Sequence, residues 1–148
     1  MEQYNLRSAT NEDSDFFYDV KKQVLKKYIE AIWGWDEVFQ IRFHQENFHV
    51  DDIQIIMMQN TAIGTVEVKE TTDQIFISSL YILPSFQNKG IGTNICKTYL
   101  LKAELANKRI ALEVLKLNVN AQRLYDRLGF TLTDRDETKY LMFKDFKK

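Results

Sequence analysis

The sequence predicts a mixed α/β domain of about seven strands and four helices, in the order β-α-α-β-β-β-α-β-α-β-β. Three observations predict it. Stretches with apolar residues at helical spacing alternate with short, β-branched runs. One proline and five glycines are so sparse that each marks a boundary. A length of 148 residues is enough for a sizeable core and favours one domain over 1–148.

The elements follow in order. Tyr4 to Arg7 reads as a first strand. Thr10-Asn11-Glu12-Asp13 then has the form of a helix start, a hydroxyl cap with an acid three residues on. Phe17, Val20, Val24 and Tyr28 recur at helical spacing, widened by Leu25, Ile29 and Ile32, up to Gly34. A second helix is expected over roughly 36–47, carrying Val38, Phe39 and Phe43. Ile53 to Gln59 and Ala62 to Val68 are strand-like, with Asn60-Thr61 between them as a hairpin turn. Ile75 to Ile82 is a third β-branched run, ending at Leu83-Pro84. A helix begins at Gly90 with Ile91, Ile95 and Tyr99 on one face, and Lys108-Arg109 closes it before a strand from Ile110 to Leu115. Ala121, Leu124, Tyr125 and Leu128 form the apolar stripe of a last helix, stopped by Gly129. Phe130 to Thr133 and Tyr140 to Phe143 are expected to pair antiparallel.

Composition narrows the function. A net charge of −1 argues against a broad nucleic-acid surface. Cys96 stands alone, so no intrachain disulfide forms, and with only His44 and His49 beside it no metal site is expected. The opening stretch is polar and acidic, without the apolar centre of a signal peptide, and no apolar run reaches the roughly 18 residues of a membrane span. The expectation is a cytoplasmic protein with neither nucleic-acid nor membrane partners.

One segment carries chemistry. After the third β-branched run, Gln87-Asn88-Lys89-Gly90-Ile91-Gly92-Thr93 leads into a helix. A helix N-terminus offers unpaired N–H groups and a partial positive charge, and glycines let a phosphate approach the backbone. Lys89 adds charge and Thr93 a hydroxyl donor. The segment lacks the Gly-Lys-Ser/Thr of a Walker loop and the third glycine of a dinucleotide fingerprint. By itself the spacing is a weak signal, since most short glycine-bearing turns before helices are simple connectors.

The flanks make it specific. Leu80 to Gly92, with Pro84 and the spacing Gln87-x-x-Gly90-x-Gly92, resembles the acetyl-CoA motif of the GNAT superfamily of N-acetyltransferases. Leu112-Glu113-Val114, followed by Asn118-x-x-Ala121-x-x-Leu124-Tyr125-x-x-x-Gly129-Phe130, resembles that family's fifth strand and next helix. The close match covers about Leu80 to Phe130. The resemblance implies a central, mostly antiparallel sheet whose fourth and fifth strands are parallel and splay apart to admit the cofactor.

It also implies roles. Backbone amides of Gln87, Asn88, Lys89, Gly90, Ile91, Gly92 and Thr93 would cradle the pyrophosphate of acetyl-CoA, the acyl donor. Ile82 would pair its backbone with the pantetheine arm, and Asn118 would approach the same arm or the phosphates. Tyr125 matches the family's general acid, a phenol able to protonate the departing thiolate. Its alternative is a core aromatic. Glu113 is the best candidate to receive the amine's proton, with Glu67 in reserve; its alternative is a solvated strand carboxylate. Trp33 and Trp35, flanking Gly34 and followed by Asp36-Glu37, would wall the acceptor site for a cationic amine, or else seal a helix junction against the core.

Lys21-Lys22 reads as part of a solvated helix face, and Cys96 as a small apolar packing residue. The implied reaction is direct acetyl transfer to a primary amine of a small molecule or peptide, by a monomer or homodimer. A catalytically silent acyl-CoA-binding regulatory module is the competing reading.

Overall fold

The computed structural model describes residues 3–148; Met1 and Glu2, the first of the polar opening stretch, lie outside the described residues. Seven strands form one sheet in the order β1-β2-β3-β4-β5-β7-β6, with four α-helices in the connections. By internal packing the chain divides into two units. One holds the residues up to Glu67 together with Leu80–Lys89, and the other holds Val68–Ser79 with Gly90–Lys148.

In the first unit, β1 (Asn5–Ser8) pairs antiparallel with β2 (Ile53–Met58). Thr10 caps the following turn as expected. That turn, Asn11–Asp13, is a 3₁₀ turn, and α1 runs Ser14–Trp33 after it. Asp13 is buried; its carboxylate accepts from the Thr10 N–H at 2.8 Å and takes two bonds of 2.9 Å from the Arg7 guanidinium. The Arg7 bond holds the Asp13 carboxyl below the usual carboxylate range. Phe17 and Val20 are the buried stripe of α1, and Phe17 joins Ala9, Ile53 and Ile55 in one core cluster.

Helix α2 (Glu37–Asn47) turns its apolar residues outward. Val38, Phe39 and Phe43 are exposed, while Gln40 and His44 are buried. Local bonding explains the inversion. His44 Nε2 shares a 2.8 Å hydrogen bond with Ser14 Oγ, and its ring lies against those of Phe17, Tyr18 and Phe48. A buried imidazole with a partner and three aromatic neighbours is tolerated where an unpaired one is not.

Strand β2 pairs with β3 (Thr61–Glu70) through a turn at Gln59-Asn60, one residue earlier than the sequence suggested, with Gln59 left-handed at φ 55°. The register passes from Ile56↔Gly64 to Met57↔Ala62, so Ile63 is an extra residue in β3, a bulge. This unit also contains the end of β4 (Gln74–Ile82).

In the second unit, β4 runs parallel to β5 (Arg109–Leu115), from Gln74↔Arg109 to Ile77↔Leu112, where the pairing ends although both strands continue. Helix α3 (Ile91–Ala106) makes the crossover, which parallel neighbours require. It buries Ile91, Ile95, Cys96 and Ala103 and is closed by left-handed Asn107, ahead of the Lys108-Arg109 pair that the sequence pointed to. Lys108 instead ties β5's start to β3's end, its Nζ 2.7 Å from Glu70. Helix α4 (Val119–Arg127) follows, and β7 (Lys139–Asp145) inserts between β5 and β6 (Thr131–Asp134), antiparallel to both.

Candidate cofactor and acetyl-transfer site

At the end of β4, Ile82 turns its backbone polar groups away from β3. Along a strand, alternate residues direct their N–H and C=O to opposite sides. Leu83 N–H donates to the β3 carbonyl of Ile63 at 2.8 Å, so the Ile82 pair faces the other way. The Ile82 carbonyl accepts from the Gln87 side-chain Nε2 at 2.8 Å. Sequence reasoning gave Gln87 a backbone role only; its carboxamide also ties the loop to the strand end. One and two residues past the last β5 pair, the buried Oγ atoms of Ser78 and Ser79 have no hydrogen-bond partner among the described residues.

Pro84–Phe86 forms a single 3₁₀ turn after β4. Asn88 (φ 62°) and Gly90 (φ 82°) then take left-handed conformations, two within three residues. Only Gly adopts this geometry freely, which accounts for Gly90; Asn tolerates it better than most residues. Gly90 is the N-cap of α3 and has no side chain to cap it. The first intrahelical bond is Asn94 N–H to the Gly90 carbonyl at 3.0 Å, so the amides of Ile91, Gly92 and Thr93 precede the helix ladder. Gln87, Asn88, Lys89 and Gly90 are exposed. Amides that precede a helix ladder carry the partial positive charge of its N-terminus.

In the second unit, Asn118 is the N-cap of α4, and its Oδ1 accepts from Ala121 N–H at 3.2 Å. The sequence match placed Asn118 toward the cofactor; the fold gives its side chain a structural task at the same time. Tyr125 is the buried residue of α4, 8% exposed, with its ring edge-on to Phe130 at 5.7 Å. Glu113 stands on β5 between buried Leu112 and Val114 and faces opposite to them, as alternation requires. Its carboxylate lies 3.7 Å from Arg135 Nε, a loose, partly exposed pair.

At the α1–α2 junction, Trp33 is 58% exposed, which removes the alternative that it seals the helices against the core. Trp35 is half-buried and its Nε1 donates to Glu37 at 3.4 Å. Glu37 is already paired: Lys22 Nζ lies 2.5 Å away, and the Tyr18 hydroxyl donates to its other oxygen. Lys22 first and Tyr18 second hold Glu37 down at about 2, while burial and the nearby carboxylate push Tyr18 up to about 12.

Lys21 and Lys22 are therefore not a merely solvated face. Lys21 is half-buried with its Nζ 4.7 Å from the centre of the Phe43 ring, and burial lowers its pKa against the pull of Glu67. Cys96 is wholly buried, and burial pushes its thiol up to about 12, so it packs as an apolar residue.

No group of three or more His, Cys, Asp or Glu side chains among the described residues is placed to hold a metal ion. No helix among them is long and apolar enough to cross a membrane.

Known proteins agree with this architecture. A spermidine N(1)-acetyltransferase of Thermoplasma acidophilum is 30% identical over 92 residues; the match covers 59% of this chain, and the chain spans 55% of that relative's length. The crystal structure of the PaiA N-acetyltransferase of Thermoplasma acidophilum, in complex with coenzyme A, superposes with a TM-score of 0.76 at 19% identity, covering 97% of this chain and 99% of the other. The ribosomal-protein-S18-alanine N-acetyltransferase of Escherichia coli gives 0.70 at 16% identity, covering 99% and 96%. At such identities the two structures speak for the fold. The family model for acetyltransferases of the GNAT type matches residues 8–130, from the end of β1 through the β4 edge, the glycine turn, β5 and α4. The chain thus belongs to the GNAT acetyltransferase family.

Proposed function

We propose that the chain is one N-acetyltransferase domain over residues 1–148, moving an acetyl group from acetyl-CoA directly to a primary amine of a small molecule or peptide. The observation that carries this reading is the pair of backbone features at the end of β4: Ile82 polar groups turned away from β3, and a doubly left-handed turn that presents the first amides of α3. Family membership and the coenzyme A held by the PaiA structure support the choice of ligand.

The residues present fit that ligand. The amides of Gln87 to Thr93 would hold the pyrophosphate, and the N–H and C=O of Ile82 would pair with the pantetheine arm. Pairing there would require Gln87 to share or release the Ile82 carbonyl, which has two lone pairs. Acetyl-CoA, when bound, supplies a thioester activated for acyl transfer.

This chain's own side chains handle the protons. Tyr125 holds a proton on its phenol oxygen, available to the departing sulfur. A primary amine is largely protonated at neutral pH and must lose a proton to attack. Glu113 is the proposed recipient, directly or through water, with Glu67 in reserve.

The name of the spermidine-acetylating relative supports an amine acceptor. Trp33 and Trp35 are proposed to contact it. The exposed Trp33 face, rather than the already paired Glu37 charge, is the stronger support for that placement.

Titration with acetyl-CoA while following thermal unfolding tests the cofactor assignment. Binding to the native state alone raises the midpoint by mass action. A midpoint unmoved at millimolar acetyl-CoA would defeat the assignment.

A further inference from the structure

Gly64 lies against the strand end on which the proposed cofactor pairing depends. A β-carbon built on it would stand 2.3 Å from the Tyr81 carbonyl oxygen, 3.1 Å from Ile82 Cα and 3.2 Å from Ile56 Cδ1. The first two contacts are backbone atoms, which cannot rotate aside. Any side chain at 64 therefore displaces Tyr81 and Ile82. Gly64 has no left-handed conformation to require glycine, so the requirement is one of space.

The neighbouring bulge holds the next residue along, Leu83. Ile63 is the extra residue of β3, and its carbonyl takes the Leu83 N–H at 2.8 Å. Tyr81 is thus seated against Gly64 and Leu83 against Ile63. Between them Ile82 is left facing the opposite side, where Gln87 reaches its carbonyl.

We propose that Gly64 is a positioning residue for acetyl-CoA: by leaving room for the Tyr81 carbonyl, it sets the course of β4 so that the Ile82 N–H and C=O meet the pantetheine arm. The proposal rests on the acetyl-CoA reading above. It acts through Ile82 and not through the phosphate-binding turn, so it predicts a selective defect.

The test compares wild type and Gly64→Ala by calorimetric titration with two ligands, alongside a thermal melt. Acetyl-CoA carries the pantetheine arm; adenosine 3′,5′-bisphosphate has the nucleotide without it. The variant is expected to bind acetyl-CoA about tenfold more weakly, the scale of one backbone hydrogen bond lost, and to bind the bisphosphate as wild type does. A folded variant with undiminished acetyl-CoA affinity, or with equal losses for both ligands, overturns the proposal. So does recovery of acetyl-CoA affinity on adding Ile56→Ala, which would put the clash on a side chain.

If Gly64→Ala does not fold, hydrogen exchange of the wild-type protein decides. The Leu83 amide is expected to be protected with or without ligand, and the Ile82 amide to slow with acetyl-CoA only. An unprotected Leu83, or an Ile82 amide indifferent to acetyl-CoA, overturns the proposal. A wild-type protein that binds no acetyl-CoA at any concentration defeats the functional reading itself, a result separable from a selective defect in the variant.

Discussion

Tyr125 carries both a packing and a chemical assignment, and one substitution separates them. Tyr125→Phe keeps the ring against Phe130 and removes only the hydroxyl. Turnover is expected to fall about a hundredfold, the usual worth of a positioned general acid, while calorimetric acetyl-CoA affinity stays within about twofold. Unchanged turnover would reduce Tyr125 to a core aromatic. At this scale the sequence was uneven. Gly90 was legible because a left-handed residue before a helix needs glycine. Gly64 was not, because nothing in the string shows that Tyr81 passes over it. Gln87 was expected to act through its backbone; its side-chain bond to the Ile82 carbonyl depends on how the turn folds back.

Helix α2 and the cap of α4 carry the predictions that belong to elements. His44 is buried, and burial first, then Lys21, lowers its pKa below the ordinary 6.5. The unfolded chain therefore takes up a proton before the folded one does. The stability due to neutral His44 is complete above pH 6.5 and declines as pH falls from there toward the folded value. Urea midpoints measured at about pH 7.5 and about pH 5.5 are expected to fall between the two, and to fall less in His44→Gln. An equal fall in both proteins would remove His44 as the cause. The element itself was legible, but its inward face was not. Val38, Phe39 and Phe43 point outward because Ser14 and the Phe17, Tyr18 and Phe48 rings give His44 a satisfied place inside.

Asn118 offers a second separation at this scale. Asn118→Ala removes the acceptor for the Ala121 amide and is expected to cost about 1 kcal/mol of stability by denaturant unfolding. Asn118→Asp keeps an oxygen there but loses the amide donor. Normal stability with weakened acetyl-CoA binding in Asn118→Asp would assign the donor to the cofactor; undiminished acetyl-CoA binding in both variants would leave Asn118 a cap only. The cap was readable from the residue type, since Asn is a preferred N-cap. Sequence matching had instead assigned this residue to the ligand.

At the scale of the whole molecule, the element order was legible almost completely. Helical and strand periodicities differ strongly in this sequence, and its few glycines fall at ends or close approaches. Less legible was what happens where β4 and β5 part: their pairing stops at Ile77↔Leu112, and Ile63 and Gly64 guide the end of β4 from the other side. That guidance depends on backbone distances rather than residue types. The family assignment carries the chemistry but not the acceptor, for which the exposed Trp33 remains a proposed contact.

The most direct measurement of the central claim is acetyl transfer itself. Purified protein is incubated with acetyl-CoA and a panel of primary amines, including a polyamine and peptides, with mass detection of products and thiol release followed in parallel. The account predicts at least one amine gaining a single acetyl group, with one free CoA thiol formed per acetyl transferred. Tight acetyl-CoA binding with no acetylated product across the panel would contradict it and favour a silent acyl-CoA-binding module.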